Sequence, residues 1–406
     1  MKLPEHVYKT MEYISTKGNV YLVGGAIRNT ILNLPISDYD LCTDVPLEQL
    51  FPDKKIMKND NREIIFLNDQ NIELSTMKGN TILEDLSHRD FTMNAIAMDI
   101  NGNIIDPYQG QKDIQNKKIK TISNECFTQD PCRILRAIRF SCELDFEIVD
   151  DITEYKDLLK TIKTERIREE FYKILLLNPG KIEEYKDIFF VFLPELNCEI
   201  VQNNPYHIYN IFKHIIETTK HTPPVLELRL AALFHDIGKV KCKTTKNGID
   251  HFYGHDKISS QMFMKIAKRL KIDHKTTNKV NTLILNHEFN LYFSTKAWTR
   301  RILKYDLDIE QLFLLRKADI SAQNPIYLNR LEDYDKKEKE IIQLAKKKNI
   351  KIKGDYFVSK DVEPKNIGKI LRELQTKVLL GQIENEEGAL KQYADQRYRK
   401  YYRNNE

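Results

Sequence analysis

The sequence lacks the features that mark membrane and secreted proteins. It contains no run of about 18 consecutive apolar residues, so it predicts no membrane-spanning helix. Its first residues, MKLPEHVYKTMEY, have no apolar segment of the kind found in a secretory signal. The six cysteines are scattered without a CxxC pair, which argues against a zinc ribbon or a disulfide framework. We therefore expect a cytoplasmic protein with reduced thiols and no membrane partner.

A strong net charge is missing as well, since the 406 residues carry only +5. Lysine and arginine nevertheless recur in the middle of the chain and in its last segment, YADQRYRKYYRNNE. This distribution is compatible with a phosphate-rich partner, and also with the solvated faces of surface helices. With 41% hydrophobic and 30% charged residues, the composition is that of a globular protein with several domains.

The pattern of apolar residues changes near residue 115. Before it, short strand-like runs alternate with helical segments, and Asn101-Gly102 predicts a tight hairpin. From Ile114 onward, apolar residues recur at three- and four-residue spacing, which predicts helices almost throughout. We predict an α+β fold with four domains: a head of mixed sheet and helices at 1–115, a helical neck at 116–200, a histidine-rich helical domain at 201–325, and a helical tail at 326–406.

A pair of carboxylates follows a glycine turn in the stretch YLVGGAIRNTILNLPISDYDLCTD, which begins at Tyr21. Residues two apart in a strand point to the same face, so Asp38 and Asp40 would lie side by side and repel each other. A divalent cation between them would remove this repulsion, and Mg²⁺ prefers carboxylate, water and phosphate oxygens. Aspartates at this spacing are also common in surface turns, so the pair alone leaves both interpretations open.

The residues around this pair favour a nucleotide site. Gly24 and Gly25 precede a predicted helix whose first N–H groups could bind a phosphate, and Arg28 follows on that helix. Glu73 lies on a predicted neighbouring strand and is the candidate for a third carboxylate. The expected ligands of the site are a nucleoside triphosphate and Mg²⁺.

Three longer motifs extend this pattern in the order LVGGAIRNTILNLPISDYDLCT, LSHRDFTMNAIAMD and QDPCRILRAIRFSCEL. Together they resemble the bacterial class II tRNA nucleotidyltransferases, which build the 3′-terminal CCA of tRNA. The resemblance continues through ERIREEF and reappears in LLGQIENEEGAL. It implies a polymerase-β-like palm that holds Mg²⁺ on Asp38 and Asp40. It also implies that the tRNA 3′-hydroxyl attacks the α-phosphate of CTP or ATP, with the helical tail in contact with tRNA.

The third motif supplies residues that could choose a base without a template. A carboxylate accepts a hydrogen bond from an exocyclic amine, and a guanidinium donates to a ring nitrogen or a carbonyl oxygen. Cytosine and adenine carry such an amine, whereas uracil and guanine carry a carbonyl in its place. The family motif Glu-Asp-x-x-Arg corresponds here to QDPCR, and the resemblance implies that Asp130 and Arg133 read the base. Their spacing predicts that both lie on one face of a helix.

Arg136 and Arg139 continue the row of arginines that begins at Arg133. Guanidinium groups in one row repel one another unless they meet anions, and the triphosphate is the candidate anion. An exposed basic helix face is the alternative interpretation.

The second motif implies further contacts with the nucleotide. Arg89 and Asp90 resemble the family's Arg-Asp pair that contacts the ribose and phosphates, and Asn94 could support the same site. The chain departs from the family pattern at three positions, which are Asn29 in place of Asp, Gln129 in place of Glu and His88 in place of Arg.

The segment between Glu73 and Arg89, LSTMKGNTILEDLSH, is short. Family members that add all three nucleotides usually carry a longer, flexible loop there, and members without it resemble the CC-adding branch. A mobile loop could reorient the base-reading residues from CTP to ATP, and a short segment could not. We expect CC addition from CTP, with the final adenosine left to a separate A-adding enzyme; a loop trimmed without consequence is the alternative.

Eight of the ten histidines lie between His207 and His287. The segments NIFKHIIETTK, AALFHDIGK, HFYGHDKISSQ, LILNHEF and LLRKADISAQN resemble, in that order, the HD metal-phosphohydrolase superfamily. The resemblance implies metal ligands at His214, His235, Asp236 and Asp319, with His255 and His287 as the added histidines of two-metal members. Imidazole and carboxylate donors suit Mn²⁺, Fe²⁺, Ni²⁺ or Mg²⁺. Such a metal could activate water against a phosphoester, or the domain could be a structural element that helps to hold tRNA.

The sequence therefore predicts a Mg²⁺-dependent tRNA nucleotidyltransferase that adds CC. Complete CCA addition with CTP and ATP is the first alternative, and an A-adding or polyadenylating relative is the second. A metal-dependent phosphohydrolase with a front domain that only binds RNA is the alternative from another class. The acidic pair and the base-reading pair favour the transferase, because a passive RNA-binding domain needs neither.

Overall fold

The computed structural model describes residues 3–59, 62–67 and 71–399. The chain forms two compact units, Met1–Leu177 and Asn178–Glu406. The last seven residues, which belong to the predicted tail, lie outside the described residues. The predicted α+β fold is confirmed, while the four predicted domains are a finer division than these two units and stay a prediction. In the described residues, no helix has the length and apolar character that crossing a bilayer requires.

A seven-stranded sheet forms the centre of the first unit. Its strands are β1 (Val20–Val23), β2 (Tyr39–Thr43), β3 (Met57–Asn59), β4 (Arg62–Leu67), β5 (Ile72–Thr76), β6 (Ala97–Asp99) and β7 (Ile104–Ile105). Across the sheet they lie in the order β3-β4-β5-β2-β1-β6-β7, and within this sheet only β2 and β5 run parallel. The predicted Asn101-Gly102 hairpin joins β6 to β7, with Gly102 at a φ of 85°.

Helices and one small parallel strand pair complete the first unit. The helices are α1 (Glu5–Ser15), α2 (Gly25–Ile31), α3 (Leu47–Leu50), α4 (Ile82–Ser87), α5 (Gly110–Gln115), α6 (Cys126–Gln129), α7 (Cys132–Leu144) and α8 (Thr164–Leu177). Two 3-10 segments span Thr92–Asn94 and Ile152–Thr161, and the strand pair is β8 (Lys118–Ile119) with β9 (Glu147–Ile148).

Helix α7 shows how the sequence pattern builds this unit. Ile134, Leu135 and Ile138 are fully buried, as expected for the apolar face of an amphipathic helix. Arg133 and Arg136 lie on the other side and are only partly buried. The helix therefore covers the core with one face and presents cations with the other.

The second unit is helical, and a 3-10 turn at Pro194–Leu196 and another at Pro325–Arg330 connect parts of it. Its helices are α9 (Gly180–Glu184), α10 (Lys186–Phe192), α11 (Ile211–Lys220), α12 (Leu226–Phe234), α13 (Lys239–Cys242), α14 (His255–Arg269), α15 (His274–Asn286), α16 (Thr295–Tyr305), α17 (Ile309–Ser321), α18 (Leu331–Lys346), α19 (Gly354–Val358), α20 (Pro364–Leu379) and α21 (Glu387–Tyr398). The last three pack around Phe357, Leu374 and Leu390, which are fully buried.

The prediction of helices almost throughout after Ile114 misses a hairpin in the second unit. Strands β10 (Thr244–Lys246) and β11 (Ile249–His251) pair antiparallel. Asn247 and Gly248 join them with φ values of 51° and 77°, the left-handed conformation that a two-residue hairpin turn requires. The Asn-Gly dipeptide at this point is the same signal that predicted the turn at Asn101-Gly102.

Candidate functional site

A polar cleft of about 480 Å³ opens in the first unit. Twelve of the thirteen residues predicted for the nucleotide site line it, and they are Gly24, Gly25, Arg28, Asp38, Asp40, Arg89, Asp90, Asn94, Asp130, Arg133, Arg136 and Arg139. Glu73 is the exception among the described residues.

Asp38 and Asp40, which form the acidic edge of the cleft, lie at the N-terminal end of β2, the central strand of the sheet. Asp40 is the second residue of β2, whereas Asp38 precedes the strand, is exposed and accepts a 2.9 Å hydrogen bond from the Ser37 hydroxyl. The prediction that one strand carries both aspartates is therefore wrong, but both residues line the cleft. Glu73 lies on β5 directly beside Asp40 in the parallel register, as expected for a neighbouring strand.

The electrostatics of these carboxylates are unfavourable without a cation. Burial raises the pKa of Asp40; the Arg89 guanidinium opposes this shift, and the Asp38 carboxylate adds to it. Burial raises the pKa of Glu73 as well, and the charge of Asp40 adds to this shift. Two carboxylates that repel each other in a polar cleft, with Glu73 beside Asp40 as a third, fit a divalent cation with oxygen ligands.

The turn at Gly24 lies against the Arg89 guanidinium and the Asp40 carboxylate. Gly24 has a φ of 72°, and a Cβ at this position would lie 3.1 Å from Arg89 Nη1 and 3.5 Å from Asp40 Oδ2. A side chain would therefore fill the space in front of both groups. The Gly24 N–H donates to the Ile96 carbonyl oxygen at 3.3 Å, so this N–H is not one of the groups left over for a phosphate.

A buried hydrogen-bond network holds the middle of the cleft. Arg28 Nη1 donates to Asn94 Oδ1 at 2.7 Å, and Asn94 Nδ2 donates to Asp90 Oδ1 at 2.9 Å. Arg136 then donates to Asp90 Oδ2 through Nε and Nη2 at 2.9 and 2.7 Å. Burial acts to raise the pKa of Asp90, but Arg136 and Asn94 prevail and hold it below its ordinary value. Asp90 is thus an ionised anchor inside the site, with the amide of Asn94 as its support.

The row of arginines on α7 is only partly available to a ligand. Arg139 donates to Glu170 and Glu143 at 2.7 Å, and Arg136 is paired with Asp90. Protein carboxylates therefore neutralise Arg136 and Arg139. The spacing of the arginines had predicted this role for the triphosphate. Arg133 differs, because among the described residues it has backbone partners: the carbonyl oxygens of His88 at 2.6 Å and Cys126 at 3.3 Å.

The prediction that Asp130 and Arg133 share one helix face is wrong. Asp130 follows α6 in an extended conformation, and α7 begins two residues later at Cys132. The Asp130 carboxylate instead accepts a 2.7 Å hydrogen bond from Arg166 of α8. Both members of the predicted pair still line the cleft, and Arg166 lines it with them.

Several cleft residues escaped the sequence prediction. Arg166 lies in the ERIREEF segment. This segment is part of the family resemblance, but the resemblance implied no role for its residues. Arg62 on β4, Lys78 before α4 and Asp85 within α4 are among the others. No local spacing rule indicates these four charged residues, because they lie far in the sequence from Asp38 and Asp40.

The six histidine and aspartate residues predicted as metal ligands come together in the second unit. They arrive from five helices or helix ends and are all buried, and they are His214, His235, Asp236, His255, His287 and Asp319. Two overlapping groups of three have ligand atoms within 4.8 Å of one another; these are His214–His235–Asp319 and His235–Asp236–His287. His255 Nε2 lies 3.1 Å from His287 Nε2 and 3.1 Å from Asp236 Oδ1.

The orientation of the imidazoles suits metal binding. Nδ1 of His235, His255 and His287 lies 2.7–2.8 Å from a backbone carbonyl oxygen, which favours the tautomer with its proton on Nδ1. The Nε2 lone pair of each ring then faces the cluster. Within the part of the chain that the structure describes, Nε2 of His214 and His235 and Oδ1 of Asp236 are buried without a hydrogen-bond partner, although carboxylate oxygens lie 3.0–3.3 Å from the two nitrogens. Buried polar atoms of this kind are rare unless an ion or a water satisfies them.

Two cations lie beside the histidine and aspartate cluster and affect its suitability for a metal. Lys239 Nζ lies 2.6 Å from Asp236 Oδ2, and Arg316 Nη1 lies 2.6 Å from Asp319 Oδ2. Burial acts to raise the pKa of both aspartates, but the neighbouring cations hold it well below the ordinary value. The carboxylates therefore stay ionised. Asp319 keeps Oδ1 on the side of the histidines, and Asp236 has both oxygens within 3.3 Å of a histidine Nε2. The donor set fits a transition metal.

Comparison with known proteins shows to which family the chain belongs. It is 31% identical over 304 residues to the multifunctional CCA protein of Mannheimia succiniciproducens, and this match covers 62% of the chain and 70% of that protein. The chain belongs to the class II tRNA nucleotidyltransferase family. Two other relatives match over shorter parts of their length. The CCA-adding enzyme of Enterococcus faecalis is 35% identical over 45% of its length, and the CC-adding tRNA nucleotidyltransferase of Shouchella clausii is 33% identical over 47% of its length.

Sequence models of three domains match along the chain. The poly(A) polymerase head domain matches residues 20–120, the probable RNA- and SrmB-binding site of polymerase A matches 143–181, and the putative tRNA nucleotidyltransferase domain 2 matches 245–394. The fold agrees with a solved member of this nucleotidyltransferase family. The Bacillus stearothermophilus CCA-adding enzyme in complex with CTP superposes with a TM-score of 0.64 at 21% identity, covering 98% of this chain and 99% of that one.

The histidine cluster yields a direct prediction. We expect the purified protein to retain a transition metal, and His235→Ala to remove most of it, because His235 belongs to both groups of candidate ligands. The measurement is the metal-to-protein ratio by elemental analysis. His274→Ala, at an exposed histidine outside the cluster, should leave the ratio unchanged. Equal metal content in all three proteins would refute the assignment.

Proposed function

We propose that the protein adds cytidines from CTP to the immature 3′ end of tRNA. The observation that carries this proposal is one cleft that combines the acidic edge at Asp38 and Asp40 with the base-reading candidates Asp130 and Arg133. In the reaction, the 3′-hydroxyl oxygen of the RNA bonds to the α-phosphorus of CTP while the bond to the β-phosphate breaks. Pyrophosphate leaves, and the hydroxyl proton is released. A hydrolase would need only the metal-binding carboxylates, and an RNA-binding module would need only residues that contact bases.

The acidic edge would hold the metal of this reaction. Asp38 and Asp40 supply the oxygen ligands, and Glu73, beside Asp40 on β5, is the third carboxylate of the edge. Mg²⁺ bound there would neutralise the charge that develops on the triphosphate. Arg89, on the other side of the glycine turn, is placed to bind a phosphate oxygen or the ribose, and Asp90 and Asn94 hold this part of the cleft in position.

Base choice would depend on Asp130 together with Arg133. Cytosine offers an amine to the Asp130 carboxylate and acceptors to the Arg133 guanidinium. Uracil would place a carbonyl oxygen against that carboxylate, and such an unsatisfied contact costs about 1–3 kcal/mol. Arg166 donates to Asp130 Oδ2 at 2.7 Å and the Cys132 N–H donates to Asp130 Oδ1 at 3.1 Å, so two hydrogen bonds fix the direction of the carboxylate.

The short segment before Arg89 supports addition of CC without the final adenosine. The Lys78 N–H donates to Asp85 at 3.0 Å, the Thr81 hydroxyl accepts from the Glu84 N–H at 3.2 Å to cap α4, and the Glu84 carboxylate folds back onto the Asn80 N–H. A segment tied in this way offers little freedom to reorient the base-reading residues. Complete CCA addition is the alternative, and the relatives include enzymes of both kinds.

The histidine cluster favours a second candidate function, hydrolysis of a phosphoester by an HD-type centre. A pocket of about 250 Å³ beside the cluster is lined by Lys239, Arg316 and Arg330, whose cations suit a phosphate. A bound metal would activate a water molecule there. A variant that loses the metal, such as His235→Ala, would lose hydrolysis and retain cytidine addition. A purely structural role for this domain in holding tRNA is the alternative.

The metal role of the acidic edge predicts the effect of Asp40→Ala. We expect CMP incorporation into tRNA to fall by at least about 100- to 1,000-fold, the cost of removing one group that stabilises the transition state. Binding of tRNA, measured by filter retention, should be largely kept. Asp53→Ala, at an exposed carboxylate outside the cleft, is the matched control and should retain full activity. Undiminished incorporation by Asp40→Ala would end the assignment.

The sequences of the tRNA products show how many nucleotides the protein adds. A tRNA lacking its 3′-terminal CCA is incubated with CTP, with ATP, and with both, and the products are sequenced. We expect CC in the presence of CTP and the same CC end when ATP is added. A terminal adenosine in the mixture would establish complete CCA addition, and the absence of any product would refute the transferase function.

A further inference from the structure

The carboxylate of Asp85 lies under the nucleotide cleft at the contact between the short segment and the cations of the site. Its side chain is 2% exposed. Oδ2 accepts hydrogen bonds from Arg89 Nε and Nη2 at 3.2 and 2.9 Å. Oδ1 accepts from the Lys78 N–H at 3.0 Å and lies 3.6 Å from Arg62 Nη2. One buried anion thus joins the backbone of the segment to two arginines from other elements.

These contacts fix the direction of Arg89. Nε and Nη2 are occupied by Asp85, so the guanidinium turns its remaining Nη1 toward the glycine turn. There, Nη1 and Asp40 Oδ2 lie 3.1 and 3.5 Å from the position that a Cβ on Gly24 would take. A nucleotide phosphate in this space would meet Nη1 of Arg89 at the orientation that Asp85 imposes.

Arg62 adds a second constraint on the same carboxylate. Its Nε donates to the Thr76 carbonyl oxygen at 2.7 Å and its Nη2 to the Ser75 hydroxyl at 2.6 Å, so it is held against β5. Without an anion between them, Arg62 and Arg89 would repel each other and Arg89 would move outward. Burial acts to raise the pKa of Asp85, but Arg89, the Lys78 amide and Arg62 prevail and keep it below the ordinary value. The anion is therefore present at neutral pH.

The position of Asp85 itself depends on the length of the segment. Helix α4 starts at Ile82 directly after the Thr81 cap, and Lys78, which holds Asp85 through its N–H, is only seven residues away. A longer insertion between Thr76 and α4 would release Lys78 from this contact. The segment therefore controls Arg89 through one side chain.

We propose that Asp85 is a positioning residue that couples the short segment to Arg89 and thereby sets the rate of nucleotide addition. This inference rests on the proposed nucleotidyltransferase function. Asp85 acts through Arg89, because it holds the guanidinium in the orientation in which Nη1 faces the space beside Gly24. CTP and ATP carry the same ribose triphosphate, so this contact serves both nucleotides alike and base choice stays with Asp130 and Arg133.

The test uses Asp85→Asn in the full chain, since the amide keeps the size and the hydrogen bond from Lys78 but removes the charge. We expect kcat for CMP addition to fall about 10- to 100-fold, the usual cost of a displaced positioning group, with a smaller change in KM for CTP. The ratio of AMP to CMP incorporation should not change, because Arg89 faces the part of the nucleotide that CTP and ATP share. Asp53→Asn, at an exposed carboxylate outside the cleft, is the matched control and should retain wild-type kinetics and nucleotide choice.

A double-mutant cycle separates positioning from general stability. In an Arg89→Ala background, Asp85→Asn should cause less than about a 2-fold further loss, because its effect passes through the missing arginine. Equal losses in both backgrounds, or a changed AMP-to-CMP ratio in Asp85→Asn, would overturn the inference. If Asp85→Asn is unfolded at the assay temperature, Asp85→Glu is measured instead, since its longer chain keeps the charge but displaces Arg89 and should lower kcat in the same way. Failure of the wild-type protein to add any cytidine would refute the proposed function itself, an outcome distinct from all of these.

Discussion

Charge balance within one cleft is the constraint on which the structure of the first unit depends. Many cations and carboxylates are gathered in a partly buried space, where an unpaired charge is costly. Protein partners satisfy most of the cations: Arg136 is paired with Asp90, Arg139 with Glu170, and Arg89 with Asp85. Asp130 is likewise paired with Arg166, whereas the described residues place no cation within ion-pair distance of Asp38 and Asp40. A metal with its bound triphosphate would be the partner of these two carboxylates.

Phe140 shows how closely these cations are packed. The guanidinium groups of Arg28, Arg136 and Arg139 lie 5.0, 5.5 and 4.0 Å from the centre of its ring. An aromatic face attracts such cations and provides a flat surface against which they are ordered. The ring therefore links Arg28 of α2 to the arginines of α7, and Arg28 and Arg136 in turn hydrogen-bond Asn94 and Asp90.

The sequence was sufficient for the parts of the site that follow local rules. Asp40 and Glu73 are neighbours because strands alternate with a period of two and adjacent strands pair in register, so the acidic edge could be predicted. The partners of Asp90, Asp130 and Arg139 could not, because residues 31 to 46 positions apart meet through helix packing that no spacing reveals. The histidine cluster was found through an ordered resemblance, whereas the missed Asn247-Gly248 hairpin carried a local signal that could have been used.

The central claim is that Asp38 and Asp40 hold a metal-bound triphosphate where an RNA end can be lengthened. The most direct measurement is a crystal structure with Mn²⁺ and a non-hydrolysable CTP analogue, in which anomalous scattering locates the ion. The account predicts an ion coordinated by both carboxylates and by the triphosphate, with the cytosine amine against Asp130. An ion bound elsewhere, with the side chains of Asp38 and Asp40 directed into bulk water, would contradict it.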